Sequence, residues 1–122
     1  MIRLRRVYDS PSDQDGTRFL VERLWPRGIK KSLLLLDEWL KDAGPSTELR
    51  KWFGHDPDRW DTFCSRYFKE LHERPESWHP ILEAEKRGTV TLLYSSHDTA
   101  HNNAVALKNF LDHHRNARSS DG

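Results

Sequence analysis

The chain has 122 residues, with 20 basic and 19 acidic side chains and a formal net charge of +1. This length fits one domain with a modest core, and the balanced charge argues against a protein whose main partner is the phosphate backbone of nucleic acid. A single cysteine, Cys64, excludes an internal disulfide. Because the first residues lack the apolar stretch of a signal peptide and no run reaches transmembrane length, we expect a cytoplasmic protein without a membrane partner.

Three segments have the composition of β-strands. Ile2–Tyr8 alternates apolar and basic residues, which is typical of a strand with one solvated face. Phe19–Trp25 carries apolar residues on both faces, as a central strand of a parallel sheet does. Val90–Tyr94 is apolar and lies between a glycine and a polar loop. We therefore expect the strands at Phe19 and Val90 to run parallel, joined by a helical crossover.

Helix signals occupy much of the remaining chain. Ser46 is predicted to be an N-cap, with Gly54 just beyond the end of a short helix. Asp56–Pro57 predicts the start of a longer helix, because aspartate caps the first turn and proline fits its first position. Ser77–Lys86 and Ala100–His114 carry apolar residues at helical spacing.

These elements predict an α/β protein, a small single-domain layered fold with a short, mostly parallel sheet flanked by helices. The domain is expected to span residues 1–114, followed by a polar, disordered tail at residues 115–122. The run Leu33–Leu36 has no period and stays unassigned. Since parallel strands end at the same edge of a sheet, the loops 25–31 and 95–103 are expected to share one rim.

The loop after Phe19–Trp25 concentrates positive charge. Arg23 and Arg27 carry guanidinium groups, which bind carboxylate or phosphate by two parallel hydrogen bonds. Arg18 is a third candidate for holding the same anion. Trp25 either stacks on a planar ligand or packs in the core. Arg23 has an equally open alternative, an internal pair with an acidic side chain, because an arginine inside a strand needs a partner.

The loop after Val90–Tyr94 concentrates hydrogen-bonding groups. The candidate ligand-binding residues there are Tyr94, Ser95, Ser96, His97 and Asn103. His101 and Asn102 are the catalytic candidates, since a histidine at the start of a helix can move a proton. The alternative for this turn is ordinary helix capping. The histidines show no zinc-type spacing with cysteine and no phosphate-binding glycine pattern occurs, so no metal or cofactor is predicted.

Several segments together resemble a known family. The matching segments are Asp15–Arg18, Val21–Gly28, Asp37–Leu40, Ala43–Ser46, Leu49–Asp56, Phe63–Leu71, Thr91–Tyr94 and His101–Ala104. In this order they are similar to the YeaO-like proteins, a bacterial and archaeal family of unknown function. The resemblance implies that the two loops form one site, and it adds His55 as a candidate pocket residue. The chain departs from the family pattern at Glu22, where aspartate is usual, and at His97, where lysine is usual.

Three hypotheses for the function follow. The first is a small ligand-binding domain or enzyme with a cationic pocket for a phosphate- or nucleotide-like anion at the ends of the strands. The second is a nucleic-acid-binding or regulatory module that uses the basic N-terminal strand and exposed tryptophans. The third is a non-catalytic structural or partner-binding protein. The sequence leaves open whether any reaction is catalysed and whether the protein is a monomer or a homodimer.

Overall fold

A four-stranded parallel sheet organises the protein. A computed structural model describes residues 1–121, with side chains described up to Arg115. The strands are β1 (Ile2–Arg6), β2 (Thr17–Leu20), β3 (Glu38–Trp39) and β4 (Val90–Tyr94). Their order across the sheet is β1, β4, β2, β3, and every neighbouring pair is parallel. The predicted α/β class with a mostly parallel sheet is therefore confirmed.

The central strand is β4. All five of its residues are buried, and it pairs on one side with β1 and on the other with β2. In register, Leu93 lies between Arg5 of β1 and Leu20 of β2. A strand covered on both faces and both edges needs a continuous apolar run, which explains its composition.

The four α-helices of the described residues match the sequence signals, although the last one differs in its bounds. They are α1 (Thr47–Phe53), α2 (Trp60–Glu73), α3 (Pro75–Glu85) and α4 (Asn103–Asp121). The predicted caps are confirmed, since Ser46 Oγ accepts the Leu49 N–H at 3.2 Å and Gly54 closes α1 with a left-handed φ of 53°. Among the residues that the structure describes, every helix is too short or too polar to cross a bilayer.

The two faces of the sheet are covered differently. Alternate residues of β4, namely Val90, Leu92 and Tyr94, belong to the larger core, to which all four helices contribute buried side chains. Leu93 faces the smaller core on the opposite side, where the segment between β2 and β3 contributes Trp25, Ile29, Leu34 and Leu36. The unassigned leucine run thus resolves into inward Leu34 and Leu36 and exposed Leu33 and Leu35.

The structure corrects the predicted bounds of the second strand. It was expected over Phe19–Trp25, but β2 ends at Leu20. The last sheet contact is the Val21 N–H, which lies 3.4 Å from the Leu93 carbonyl oxygen. Beyond this point the Ser95 N–H bonds the Glu22 carboxylate instead of a backbone carbonyl, so the ladder stops.

The last helix also differs from its prediction. It begins at Asn103 instead of Ala100, because Asn102 Oδ1 accepts the Val105 N–H at 3.0 Å and so acts as the N-cap. It runs to Asp121 instead of ending at His114. The disorder expected for 115–122 stays a prediction, because the side chains after Arg115 and the whole of Gly122 lie outside the described residues.

Candidate functional site

A concave pocket lies where β2 and β4 end and the C-terminus of α1 approaches them. Its volume is about 330 Å³. The side walls come from the loop after β2, the end of α1 and the start of α4. The lining residues are Glu22, Arg23, Leu24, Trp25, Pro26, Arg27, Pro45, Arg50, Lys51, Phe53, Gly54, His55, Phe63, Ser95, Ser96, Asn102 and Asn103. The expected common rim of the two loops is therefore confirmed.

Glu22 and Ser95 join the two strand ends inside this pocket. The Ser95 N–H donates to Glu22 Oε1 at 2.6 Å. The Ser95 hydroxyl lies 3.0 Å from Oε1 and 2.8 Å from Oε2. Burial raises the pKa of Glu22 above the ordinary glutamate value, while the hydrogen bonds from Ser95 and the charges of His55 and Arg50 act in the opposite direction. A partly desolvated carboxylate therefore forms the inner end of the pocket.

The outer part of the pocket carries basic side chains. Arg27, Arg50 and Lys51 are all exposed, and within the described part of the chain none of them makes an ion pair or a side-chain hydrogen bond. His55 follows Gly54 at the end of α1 and has a φ of 60°, the left-handed region that histidine enters more readily than most residues. This turn directs the chain back over the pocket, and the His55 and Phe53 rings lie 6.4 Å apart.

Arg23 lines the pocket, but each of its three guanidinium nitrogens already has a partner within the protein. Its Nε–H donates to the Pro45 carbonyl oxygen at 2.9 Å, and Nη2 donates to the Gly44 carbonyl oxygen at 3.1 Å. Its Nη1 lies 3.3 Å from the Asp42 carboxylate. Of the two interpretations left open by the sequence, this geometry favours the internal one, since the guanidinium ties the loop after β2 to the segment before α1.

The residues at the start of α4 serve mainly as caps. Asn102 uses both ends of its amide, because Nδ2 donates to the Asp98 carbonyl oxygen and Oδ1 accepts from Val105. Asn103 Nδ2 donates to the Val21 carbonyl oxygen at 2.6 Å. His101 Nδ1 lies 3.0 Å from the Asp98 carboxylate, but His101 itself is not part of the pocket wall. The capping alternative thus accounts for most of this turn.

Other candidates lie around the pocket or away from it. Arg6 holds the loop after β4 by donating to the carbonyl oxygens of Ser95 and Ser96 at 3.2 and 2.9 Å. His97 Nδ1 lies 3.4 Å from Arg6 Nη2, and neither His97 nor the buried Tyr94 lines the pocket.

Two of the predicted ligand-binding residues, Arg18 of β2 and Trp25 of the loop after it, have structural partners of their own. Arg18 is buried and donates to Asp15 at 2.8 Å, so the structure does not bring it to Arg23 and Arg27. Trp25 donates from Nε1 to the Ile29 carbonyl oxygen at 2.6 Å and meets Trp39 edge-on, in the smaller core. Trp25 therefore combines packing with a place in the pocket wall.

Comparison with known proteins assigns the family. A family model described as "Inactive DUF488-N3 subclade" matches residues 1–122. The chain is 44% identical to "Uncharacterized protein YeaO" of Escherichia coli (strain K12), over 90% of this chain and 96% of that protein. The chain belongs to the YeaO-like family.

A second relative of this YeaO-like protein comes from another bacterium. It is "Uncharacterized protein Rv3073c" of Mycobacterium tuberculosis, which is 38% identical over 91% of this chain and 93% of that protein. No solved structure gives a significant match. The resemblance read from the motifs is thus confirmed, and it extends across the whole chain.

The sequence prediction for this YeaO-like protein missed three charged pocket residues, Glu22, Arg50 and Lys51. In the sequence Glu22 stands out only as a departure from the family pattern, although an acidic residue in an apolar strand end needs a partner and so signals a buried contact. Arg50 and Lys51 lie in the last turn of α1, where basic side chains commonly interact with the helix dipole. The family motif at Leu49–Asp56 was the signal that this helix end borders the site.

Glu22 gives this YeaO-like protein a testable pH dependence. Because the pKa of Glu22 is higher in the folded state than in the unfolded state, the folded state binds more protons in the interval between the two pKa values. Its contribution to the free energy of unfolding therefore falls as pH rises through that interval. We expect Glu22→Gln to remove this contribution. Urea unfolding of the wild-type protein and the variant between pH 4 and pH 8 measures the difference in their free energies of unfolding, and this difference should change by at most about 2.303RT per pH unit. Parallel pH profiles for the two proteins would contradict it.

Proposed function

We propose that the protein is a cytoplasmic ligand-binding domain whose pocket holds a small phosphate-like anion. The observation that carries the proposal is the set of Arg27, Arg50 and Lys51, three basic side chains around one concave pocket that make no ion pair or side-chain hydrogen bond among the described residues. Guanidinium and ammonium groups bind phosphate by charge-assisted hydrogen bonds, which are the stronger class of hydrogen bond in proteins.

The surroundings of the three basic side chains favour a specific binding site and not merely a basic surface. The pocket volume of about 330 Å³ is at the lower end of the range for small-molecule sites, about 300–1,000 Å³. Apolar side chains, including Phe53 and Phe63, form part of the wall and exclude water from it. His55 adds a ring N–H that can donate to an anion.

Binding without turnover is the version of the function that we favour. The description of the matching family model contains the word "inactive". The catalytic candidates His101 and Asn102 also have other contacts, one to Asp98 and the other to the backbone of α4. A group that is held outside the pocket or used as a cap is poorly placed to reach a bound ligand.

Isothermal titration calorimetry with inorganic phosphate and with pyrophosphate, at constant ionic strength, measures the dissociation constants that test the proposal. We expect Arg50→Ala to weaken binding by about tenfold or more, because it removes a charge-assisted hydrogen bond. Arg27→Ala and Lys51→Ala are expected to act in the same direction. Arg87→Ala is the matched control, since Arg87 is also exposed but lies outside the pocket after α3.

Two results would overturn the proposal. One is that the wild-type protein binds neither phosphate nor pyrophosphate. The other is that Arg87→Ala weakens binding as much as Arg50→Ala does, which would mean that the anion follows overall charge and not this pocket.

A further inference from the structure

The pocket carries opposite charges at its two ends. Glu22 is half-buried at the inner end, where it bonds the start of the loop after β4. Arg27, Arg50 and Lys51 are exposed at the outer end. A carboxylate in a site that binds only an anion weakens binding, because the two negative charges repel each other. The inner carboxylate therefore suits a ligand that also carries a hydrogen-bond donor.

Glu22 has hydrogen-bonding capacity that the protein does not use. A carboxylate offers about four acceptor positions on its two oxygens. The Ser95 N–H occupies one position on Oε1. The Ser95 hydroxyl lies near both oxygens, but it has a single proton to donate. Glu22 lines the pocket, so the remaining acceptor positions are available to a donor that enters it.

Apolar side chains also line the pocket. Leu24 and Pro26 lie on the side of the loop after β2, and Phe53 and Phe63 lie on the helical side. The Phe53 and Phe63 rings are stacked with centroids 4.4 Å apart. An apolar wall binds a flat or apolar part of a ligand better than it binds a series of hydrated polar groups.

We propose that the ligand has two ends, an anionic group held by the outer basic side chains and an N–H donor read by Glu22, with a ring between them. This inference rests on the proposed anion binding and adds the chemistry of the rest of the ligand. Two sources share this chemistry, a nucleoside monophosphate with an amino-bearing base and an aminobenzoate, whose ring lies between its amino group and its carboxylate. The pocket volume of about 330 Å³ suits either molecule and is small for a dinucleotide.

Matched ligand pairs test the inner end on the wild-type protein. Adenosine 5′-monophosphate is compared with purine riboside 5′-monophosphate, which lacks only the exocyclic amino group. 4-Aminobenzoate is compared with benzoate, which keeps the ring and carboxylate but lacks the amino group. We expect the donor-bearing member of one pair to bind about tenfold more tightly, the effect of one hydrogen bond to a charged group. The pair that shows this preference identifies the source.

The variant Glu22→Gln then assigns the preference to Glu22. Glutamine keeps an oxygen that can accept the Ser95 N–H, and it loses the negative charge. We expect the affinity ratio of the preferred pair to fall to about one in this variant. Circular dichroism of the variant checks that it folds, and the wild-type comparison stands independently of that result.

The outcomes separate this inference from the proposed function. If wild-type protein binds phosphate but both pairs show equal affinities, the two-ended ligand is wrong and anion binding survives. If the folded Glu22→Gln variant still prefers the ligand that carries the N–H donor, a group other than Glu22 binds that donor, and the inference is also wrong. If neither phosphate nor any of the four ligands binds, both proposals fail.

Discussion

Replacing Arg23 with alanine is expected to lower the free energy of unfolding by about 2–4 kcal/mol, because each lost hydrogen bond from a charged donor to a partly buried acceptor costs about 1–3 kcal/mol. The guanidinium holds the carbonyl oxygens of Gly44 and Pro45 and approaches Asp42, and only 22% of its side-chain surface is exposed. Alanine leaves those carbonyl oxygens without their donors and releases the loop after β2 from the start of α1.

The matched control is Arg27→Ala in the same loop. Arg27 is exposed, and its side chain has no hydrogen-bond or ion-pair partner in the described part of the chain. We expect the control to change stability by less than about 0.5 kcal/mol, as surface substitutions usually do. Urea unfolding at unchanged m-value measures both. If Arg23→Ala keeps full stability and abolishes phosphate binding, Arg23 is a ligand-binding residue and not a structural one.

Replacing Gly16 with alanine is expected to cost about 3–5 kcal/mol, through strain in a left-handed backbone and a steric clash together. Gly16 has a φ of 64°, and a β-carbon there would lie 2.0 Å from the carbonyl oxygen of Thr89. That carbonyl cannot move away freely, because it accepts the Thr17 N–H at 3.0 Å at the start of β2. The backbone on both sides of the contact must shift.

Gly28 is the matched control for this substitution. It also has a positive φ, 82°, but a β-carbon there would have no atom within 4 Å. Gly28→Ala is therefore expected to show only the backbone cost, about 1–2 kcal/mol. Thermal and urea unfolding of the two variants gives the difference between them. Equal losses at Gly16 and Gly28 would show that the contact with Thr89 is relieved at no cost.

The parallel arrangement could be predicted because it depends on local composition. Val90–Tyr94 is apolar throughout, and such a run is stable only where both faces and both edges are covered. The caps Ser46 and Asp56 could be predicted for a similar reason, since each bonds a backbone N–H two or three residues away. These features need no knowledge of distant parts of the chain.

The elements that escaped prediction depend on distant contacts. The two residues of β3, Glu38–Trp39, show no strand pattern, and they qualify as a strand only because Asp37 and Leu40 donate to the backbone of β2. The early end of β2 likewise depends on Ser95. Hydrogen bonds between residues so far apart leave no periodic signal in the sequence.

The candidate site was predictable on the side of the two strand ends. Arg27, Ser95 and Ser96 were expected and line the pocket. The α1 side was recognised through the family motif only at His55, because Arg50 and Lys51 look like ordinary surface residues of a helix end. Arg23 shows most clearly what the sequence could not predict. An arginine at this position fits both a ligand contact and an internal hydrogen-bonded contact, and only its three partners in the structure distinguish the two roles.

The position of β4 in the sheet has a consequence for how the protein is made. Among the residues that the structure describes, β1 pairs with β4 alone and β2 has β4 as its longer partner, yet β4 is the last of the four strands to be synthesised. On the ribosome, β1 therefore emerges with both backbone edges unpaired and stays so until residues 90–94 have left the exit tunnel. Sheets closed by such late, long-range pairing fold slowly and expose strand edges to neighbouring chains. Until β4 emerges, the unpaired edges of β1 are therefore open to pairing with neighbouring chains.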